Sequence, residues 1–129
     1  MSWSAEIGRI GEQMVADFLK TRGYIIFRRN YHSEFGEIDI VAENPDRVLF
    51  VEVKTRKENS LVAPADAVDH QKRQKIIKTA EKFMRKAYLK SDVRFDIAEV
   101  IYRRDEKGEL KFGLNYIENA FSAQRILNP

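Results

Sequence analysis

Apolar residues recur at Ile7, Ile10, Gly11, Met14, Val15, Phe18 and Leu19, the spacing of one helical face. The pattern predicts a first helix, N-capped by Ser4 and stopped by Gly23. At Tyr24 the period shortens. "YIIFRRNYH" reads as a strand, and "FGEIDIVAE" and "RVLFVEVKTR" alternate apolar and polar residues on either side of Asn44-Pro45, which reads as a β-hairpin. Residues 55–65, "TRKENSLVAPA", are polar with a proline and read as a loop placed directly after Lys54, where it can cover a site. The helical period returns from about Asp66 to Lys90, with Val68, Ile76, Ile77, Ala80, Phe83, Met84, Ala87 and Tyr88 turned inward. "VRFDIAEVIY" and "LKFGLNYIE" then alternate around a charged turn containing Gly108 and read as strands four and five. The order αβββαββ predicts an α/β fold, a mixed β-sheet flanked by helices, in a single domain spanning residues 1–129.

A chain of 129 residues is long enough to bury most of the surface that its unfolded form exposes. With no cysteine there is no disulfide framework and no thiolate chemistry, which suits a reducing compartment, and the cytoplasm is expected. "MSWSAEIGRIGE" has acids where a signal peptide has a basic start and an apolar run, and no apolar segment approaches the ~20 residues of a membrane span, so no membrane is expected. The net charge of +3 is informative only where it clusters. It clusters on the second helix, whose polar sides carry Lys72, Arg73, Lys75, Lys78, Lys82, Arg85, Lys86 and Lys90. A solvated face is the ordinary fate of such a run, and contact with phosphates is the functional alternative.

The hairpin carries the chemistry. Alternation puts Glu37, Asp39 and Val41 on one side of the first strand and Ile38, Ile40 and Ala42 on the other, while Glu52 and Lys54 share a side of the second. If Asn44 and Arg47 close the turn symmetrically, Asp39 falls opposite Glu52, where Cβ atoms lie about 4.5–5.5 Å apart. Two carboxylates so close resist joint ionisation unless a cation offsets them. A hard ion, Mg²⁺ or Mn²⁺, fits such an oxygen pair completed by water and a substrate phosphate, with Lys54 beside it. A shift of one residue in register would undo the arrangement. The plainer reading pairs Glu37 with Lys54 and leaves Asp39 and Glu52 solvated on an open sheet face.

An acid, a short spacer and Glu-x-Lys on adjacent hairpin strands resembles the PD-(D/E)xK nuclease superfamily, the fold of many restriction endonucleases and archaeal Holliday junction resolvases. "GEIDIVAE" and "VLFVEVKTR", with "GRIGEQMVADFLKTRGY" and "RRNYHSEFGEID" upstream and "APADAVDHQKRQKIIKTAEKFM" and "RFDIAEV" downstream, resemble over nearly the whole chain the YraN-like family of small bacterial proteins. The resemblance implies a restriction endonuclease-like αβββαβ core and an Mg²⁺- or Mn²⁺-dependent endonuclease acting on DNA, branched DNA included. RNA stays open as a partner, and the resemblance leaves room for a homodimer. By position, Asp39 and Glu52 match the metal-binding acids, Lys54 the lysine of the Glu-x-Lys element, and Glu12 the acid that resolvase-like members carry on their first helix near the metal. Ile38 stands where the superfamily's name has proline, and the second helix offers Gln71 and Gln74 without a clear Gln-x-x-x-Tyr element.

Glu12 lies at the edge of the first helix's apolar stripe, where it faces a cleft or simply flanks the core, and Glu6 suits the helix dipole. Arg28 and Arg29 alternate sides, so at most one, taken as Arg29, serves the acidic face. Lys72, Lys75 and Lys78 are the expected phosphate contacts. His32 and His70 form no zinc-like spacing. Asp96 reads as a core-edge aspartate with local hydrogen bonds, and Trp3 and Tyr31 spell out no base-stacking platform. Two rivals to an enzyme remain: a nucleic-acid-binding module of the same fold, and a subunit whose basic helix docks an acidic protein.

Overall fold

The computed structural model describes residues 3–60, 69–87 and 89–123. Its elements run α1 (Trp3–Thr21), β1 (Ile25–Ser33), β2 (Gly36–Glu43), β3 (Arg47–Lys57), α2 (His70–Lys86), β4 (Asp92–Arg104) and β5 (Leu110–Phe121). The strands form one sheet in the order β1-β2-β3-β4-β5. All neighbours are antiparallel except β3 and β4, which run parallel through the α2 crossover. This is the expected mixed α/β architecture, with a pattern compatible with a restriction endonuclease-like core. No helix among the described residues is long and apolar enough to cross a membrane.

Each helix covers one face. Val15, Ala16 and Leu19 of α1 bury Ile40, Ala42, Leu49, Val51, Ala98 and Val100, while Ile76, Ile77, Ala80 and Phe83 of α2 bury Ile38, Val41, Val48, Phe50, Phe95 and Ile97. Residues Val48 to Val51 are therefore buried on both sides and read as a continuous apolar run. Full burial of a side chain of this size contributes roughly 1.5–3 kcal/mol. Phe83 is the centre of the α2 layer, meeting Phe27, Tyr31 and Phe50 edge-on with centroids 5.2–5.8 Å away. Tyr31 thus packs, partly buried, against the core, and Trp3 lies under the Arg104 guanidinium at 5.0 Å.

The turn between β2 and β3 shows how local chemistry sets the register. Asn44 Oδ1 accepts the N–H groups of both Asp46 and Arg47 at 2.8 Å, and its own N–H meets Arg47 O at 3.0 Å. The ladder that follows is the symmetric one, Glu43 opposite Val48 and Ile40 opposite Val51. The preceding turn is fastened to α2: Ser33 Oγ meets Thr79 Oγ1 at 2.9 Å, Lys82 Nζ meets Glu34 Oε1 at 2.6 Å, and Lys78 lies over the Phe35 ring at 5.9 Å.

Several boundaries differ from the expected ones. Trp3 is already helical, so Ser4 is an interior residue of α1 and not its N-cap, and Ile10 lies at the rim, 37% exposed. Gly23 does end the helix, at φ +88°, with Tyr24 N–H returning to Leu19 O. Helix α2 is shorter than Asp66–Lys90. Asp69 accepts the Lys72 N–H and caps it before His70, and Leu89 N–H closes on Met84 O just past its end. Thr55, Arg56 and Lys57 belong to β3 rather than to a loop, because the parallel ladder with β4 continues to Lys57 opposite Tyr102. Residues 61–68, with the end of the expected loop and Val68, lie outside the described residues, as does Tyr88.

Gly11 marks where α1 lies closest to the sheet. A Cβ there would sit 2.4 Å from Thr55 Oγ1, and Thr is stiff at χ1. Gly11→Ala is therefore expected to destabilise the protein by about 1–2 kcal/mol, overpacking outweighing the better helix propensity of alanine. In a Thr55→Ala background the same change should become neutral or stabilising. Chemical denaturation of the four proteins measures the reversal, and an equal cost in both backgrounds would refute the contact.

Candidate functional site

At Asp39 strand β2 leaves β3. The β2–β3 ladder stops at Ile40 opposite Val51, whereas β2 stays paired with β1 through Ile38, Glu37 and Gly36. The N–H of Val53 is taken instead by Asp39 Oδ2 at 2.7 Å. A side chain replaces a strand in the ladder at this point. The pleat is interrupted with it, so Ile38 packs beside Val41 under α2, and not on the side of Ile40 and Ala42 as simple alternation requires. A cleft of about 360 Å³ opens here, lined by Gly36, Glu37, Glu52, Lys72 and Lys75 among others.

Glu52 lies between Val51 and Val53, which pack toward α1, so its side chain faces the α2 side. Asp39 and Glu52 are 9% and 7% exposed, and each is a charge neighbour and hydrogen-bonding neighbour of the other. Burial, reinforced by the Glu52 charge, pushes the Asp39 carboxyl up to about 7, and the Val53 N–H opposes the shift. Lys54 Nζ lies 3.5 Å from Glu52 Oε1, and Lys72 Nζ, from the first turn of α2, lies 3.0 Å from the same oxygen. Burial and hydrogen bonding to Lys72 lower the Lys54 pKa against the pull of Glu52. Lys72 is raised: burial works against its charge, and hydrogen bonding to Lys54 and Glu52 with the charge of Glu52 outweighs it.

The structure thus brings Asp39, Glu52 and Lys54 together, and the Glu37–Lys54 pairing is not formed, since Glu37 meets His32 Nδ1 at 3.3 Å. Glu12 stands at the rim. It is half-buried beside Arg29 and Asn30, and its pKa is raised by burial, with Arg29 and Asn30 opposing and the charges of Glu37 and Glu52 adding. Arg29 donates to Gln13 Oε1 at 2.9 Å. Of the expected phosphate contacts, Lys72 is part of the acidic site, Lys75 lines the cleft, and Lys78 rests over Phe35.

Residue patterns alone did not reveal the contact of Lys72 with Glu52. The short spacing from Asp69, an N-cap residue type, to Lys72 in the first helical turn was the available signal. Glu99 also escapes a reading of the residues. It is 8% exposed, stands level with Lys54 in the parallel ladder, and accepts from Asn115 Nδ2 at 3.1 Å. Asp96 is the structural aspartate it reads as: fully buried, it accepts from Arg94 Nε and Nη2, from Tyr116 Oη at 2.6 Å and from Asn119 N–H at 2.8 Å. These bonds secure the irregularity where β5 joins β4 between Phe95 and Ile97.

Asp39 and Glu52 offer hard oxygen donors from adjacent strands, and the two ammonium groups on Glu52 show that the site draws positive charge. Among the described residues no three His, Cys, Asp or Glu side chains converge as a metal cage. A divalent ion held by this pair would be bound as Mg²⁺ commonly is, by one or two carboxylates with water and phosphate completing its shell.

A family model described as "Uncharacterised protein family UPF0102" matches residues 11–100. A "UPF0102 protein" of Alkaliphilus metalliredigens is 39% identical over 119 residues, covering 92% of this chain and 99% of that protein. Proteins of the same description from Dictyoglomus turgidum and Prosthecochloris aestuarii are 41% and 42% identical, covering 90% and 92% of this chain and 97% and 95% of their own.

The raised Asp39 pKa fixes a pH dependence. Between its ordinary 3.8 and about 7 the folded protein holds a proton that the unfolded chain has released, so the stability due to this group falls as pH rises through that window. In chelator-treated protein, Asp39→Asn is expected to remove the decline and to be more stable than wild type above neutral pH, by on the order of 1 kcal/mol or more. Thermal melts from acidic to mildly alkaline pH test this, and parallel profiles for the two proteins would contradict the buried-pair geometry.

Proposed function

Since the chain belongs to the uncharacterised protein family UPF0102, whose description assigns no activity, we propose from its own geometry that it is a divalent-metal-dependent endonuclease acting on DNA, branched DNA included. The observation that carries this reading is the Asp39–Glu52 pair, buried where β2 parts from β3 and flanked by Lys54 and Lys72. Asp39 and Glu52 are the proposed ligands of Mg²⁺ or Mn²⁺, with Glu12 supporting from the rim. When bound, the ion supplies charge that offsets the phosphodiester and brings water to it.

The chain's own groups do the rest. Val53 N–H holds Asp39 Oδ2 in place, so the carboxylate is oriented before anything binds. Lys54, from the same strand as Glu52 and with a lowered pKa, is suited to exchange a proton at Nζ with the attacking water or to stabilise charge growing on phosphorus. Lys75 beside the pair, and Lys78 and Arg29 farther out, provide positive charge for flanking phosphates.

Calorimetric titration with Mn²⁺ beside a cleavage assay on linear and branched DNA tests the reading. Asp39→Ala is expected to lose both Mn²⁺ binding and cleavage. Lys54→Ala should keep Mn²⁺ binding and lose about 10²-fold or more in turnover, since a protonated lysine offers no lone pair to a metal. Undiminished Mn²⁺ binding by Asp39→Ala would sink the assignment. Mn²⁺ binding that depends on Asp39, with no cleavage of any substrate, would move the protein to the binding-module alternative.

The partner is tested separately. Neutralising Lys75 and Lys78 should flatten the salt dependence of DNA binding by up to about 0.9 for each phosphate that the variant no longer neutralises. An unchanged slope would return those residues to the solvated or packed roles.

A further inference from the structure

Glu52 Oε1 carries two ammonium groups, and they are not equivalent. Lys54 belongs to the same central strand and is 25% exposed, while Lys72 comes from α2, makes the shorter contact, 3.0 against 3.5 Å, and is 37% exposed. The Lys72 backbone is fixed, because its N–H is the one that Asp69 accepts in capping α2 at 2.9 Å. Its side chain is four flexible carbons with an open path to solvent.

A divalent ion on Asp39 and Glu52 would join a carboxylate whose Oε1 already carries both ammonium groups. Three positive centres on one carboxylate repel one another strongly in a partly desolvated site. Something must leave, and Lys72 has both the exit and the slack.

We propose that Lys72 is a built-in counter-cation: its ammonium stands in for the metal on Glu52, is expelled when a divalent ion binds, and is thereby delivered to the substrate phosphate. This rests on the reading of Asp39 and Glu52 as the ion's ligands. It keeps positive charge on Glu52 before loading, so the metal-free site does not repel DNA as a bare carboxylate pair would. It also makes metal and ammonium competitors, so Lys72 weakens metal affinity while serving substrate binding. A lysine that merely braced the helix against β3 would do neither.

The test uses the full chain and Mn²⁺ or Mg²⁺ alone. An opposite charge within about 4–6 Å changes a carboxylate's affinity for a proton by 1–3 pKa units, and the same field acts on a dication. Calorimetry should therefore show Lys72→Met binding Mn²⁺ about tenfold or more tightly than wild type, with Lys72→Arg close to wild type. In the same proteins, DNA affinity with the ion bound should fall for Lys72→Met. In wild type, which avoids any folding defect of the variants, the Lys72 ammonium resonance held by Glu52 should broaden into solvent exchange as Mg²⁺ is added. Equal Mn²⁺ affinity in wild type and Lys72→Met, or an ammonium signal that persists at saturating Mg²⁺, would overturn the proposal and leave the ion site intact. No Mn²⁺ binding by any of the proteins would remove the ion site itself, and this inference with it.

Discussion

One hydrogen bond organises the centre of this molecule. Val53 N–H would belong to the β2–β3 ladder, and Asp39 Oδ2 takes it at 2.7 Å. Because a carboxylate satisfies the central strand, β2 is free to leave it without stranding a buried donor, whose unpaired cost would be about 1–3 kcal/mol. The departure opens the sheet between its strands, carries Glu37 and Gly36 away with β1, and leaves the distal half of β3 unpaired with β2. The carboxylate proposed as a metal ligand is thus also a structural one. A change at Asp39 touches chemistry and strand pairing together, so folding has to be measured beside activity in any variant of it.

The elements around the opening divide the labour. The β3–β4 ladder, unbroken from Arg47 to Lys57, gives Glu52 and Lys54 a rigid base. On the α1 side, Gly11 lets the helix approach Thr55 closely, which brings Glu12 to the rim. On the α2 side, Asp69 decides where the helix begins and therefore which residue hangs over Glu52. Charges balance in place: two acids, two lysines, and an Asp39 proton held near neutrality. A site so balanced is stable without a ligand and yet responsive to one, since each ionisation depends on the others.

Much of this was legible in the residues, for identifiable reasons. Asn44 dictates a turn with known closure, so the nearness of Asp39 to Glu52 followed from counting, although the ladder ends one pair short of them at Ile40 and Val51, and the helical stripes of α1 and α2 named most of the helices' own share of the core. Asp96 was legible as a structural acid because it interrupts a strongly apolar strand. The turning of Ile38 away from Ile40 was not legible, because it depends on which partner keeps β2, a contest settled by tertiary contacts. The role of Lys72 was hidden for a similar reason: composition showed a basic helix, but only the position of the cap after a loop determines which lysine meets the acid. Glu99 looked like ordinary alternation, and the parallel ladder alone sets it beside Lys54.

The fastening of the β1–β2 turn to α2 has a consequence for whatever enters the cleft. Ser33 with Thr79, Glu34 with Lys82 and Phe35 with Lys78 tie the turn down at three successive residues. That wall is in place in the free protein, so a ligand does not have to spend interaction energy ordering it. A preformed wall also adapts poorly. It selects ligands by outline, favouring those whose shape already fits and penalising the rest by steric misfit.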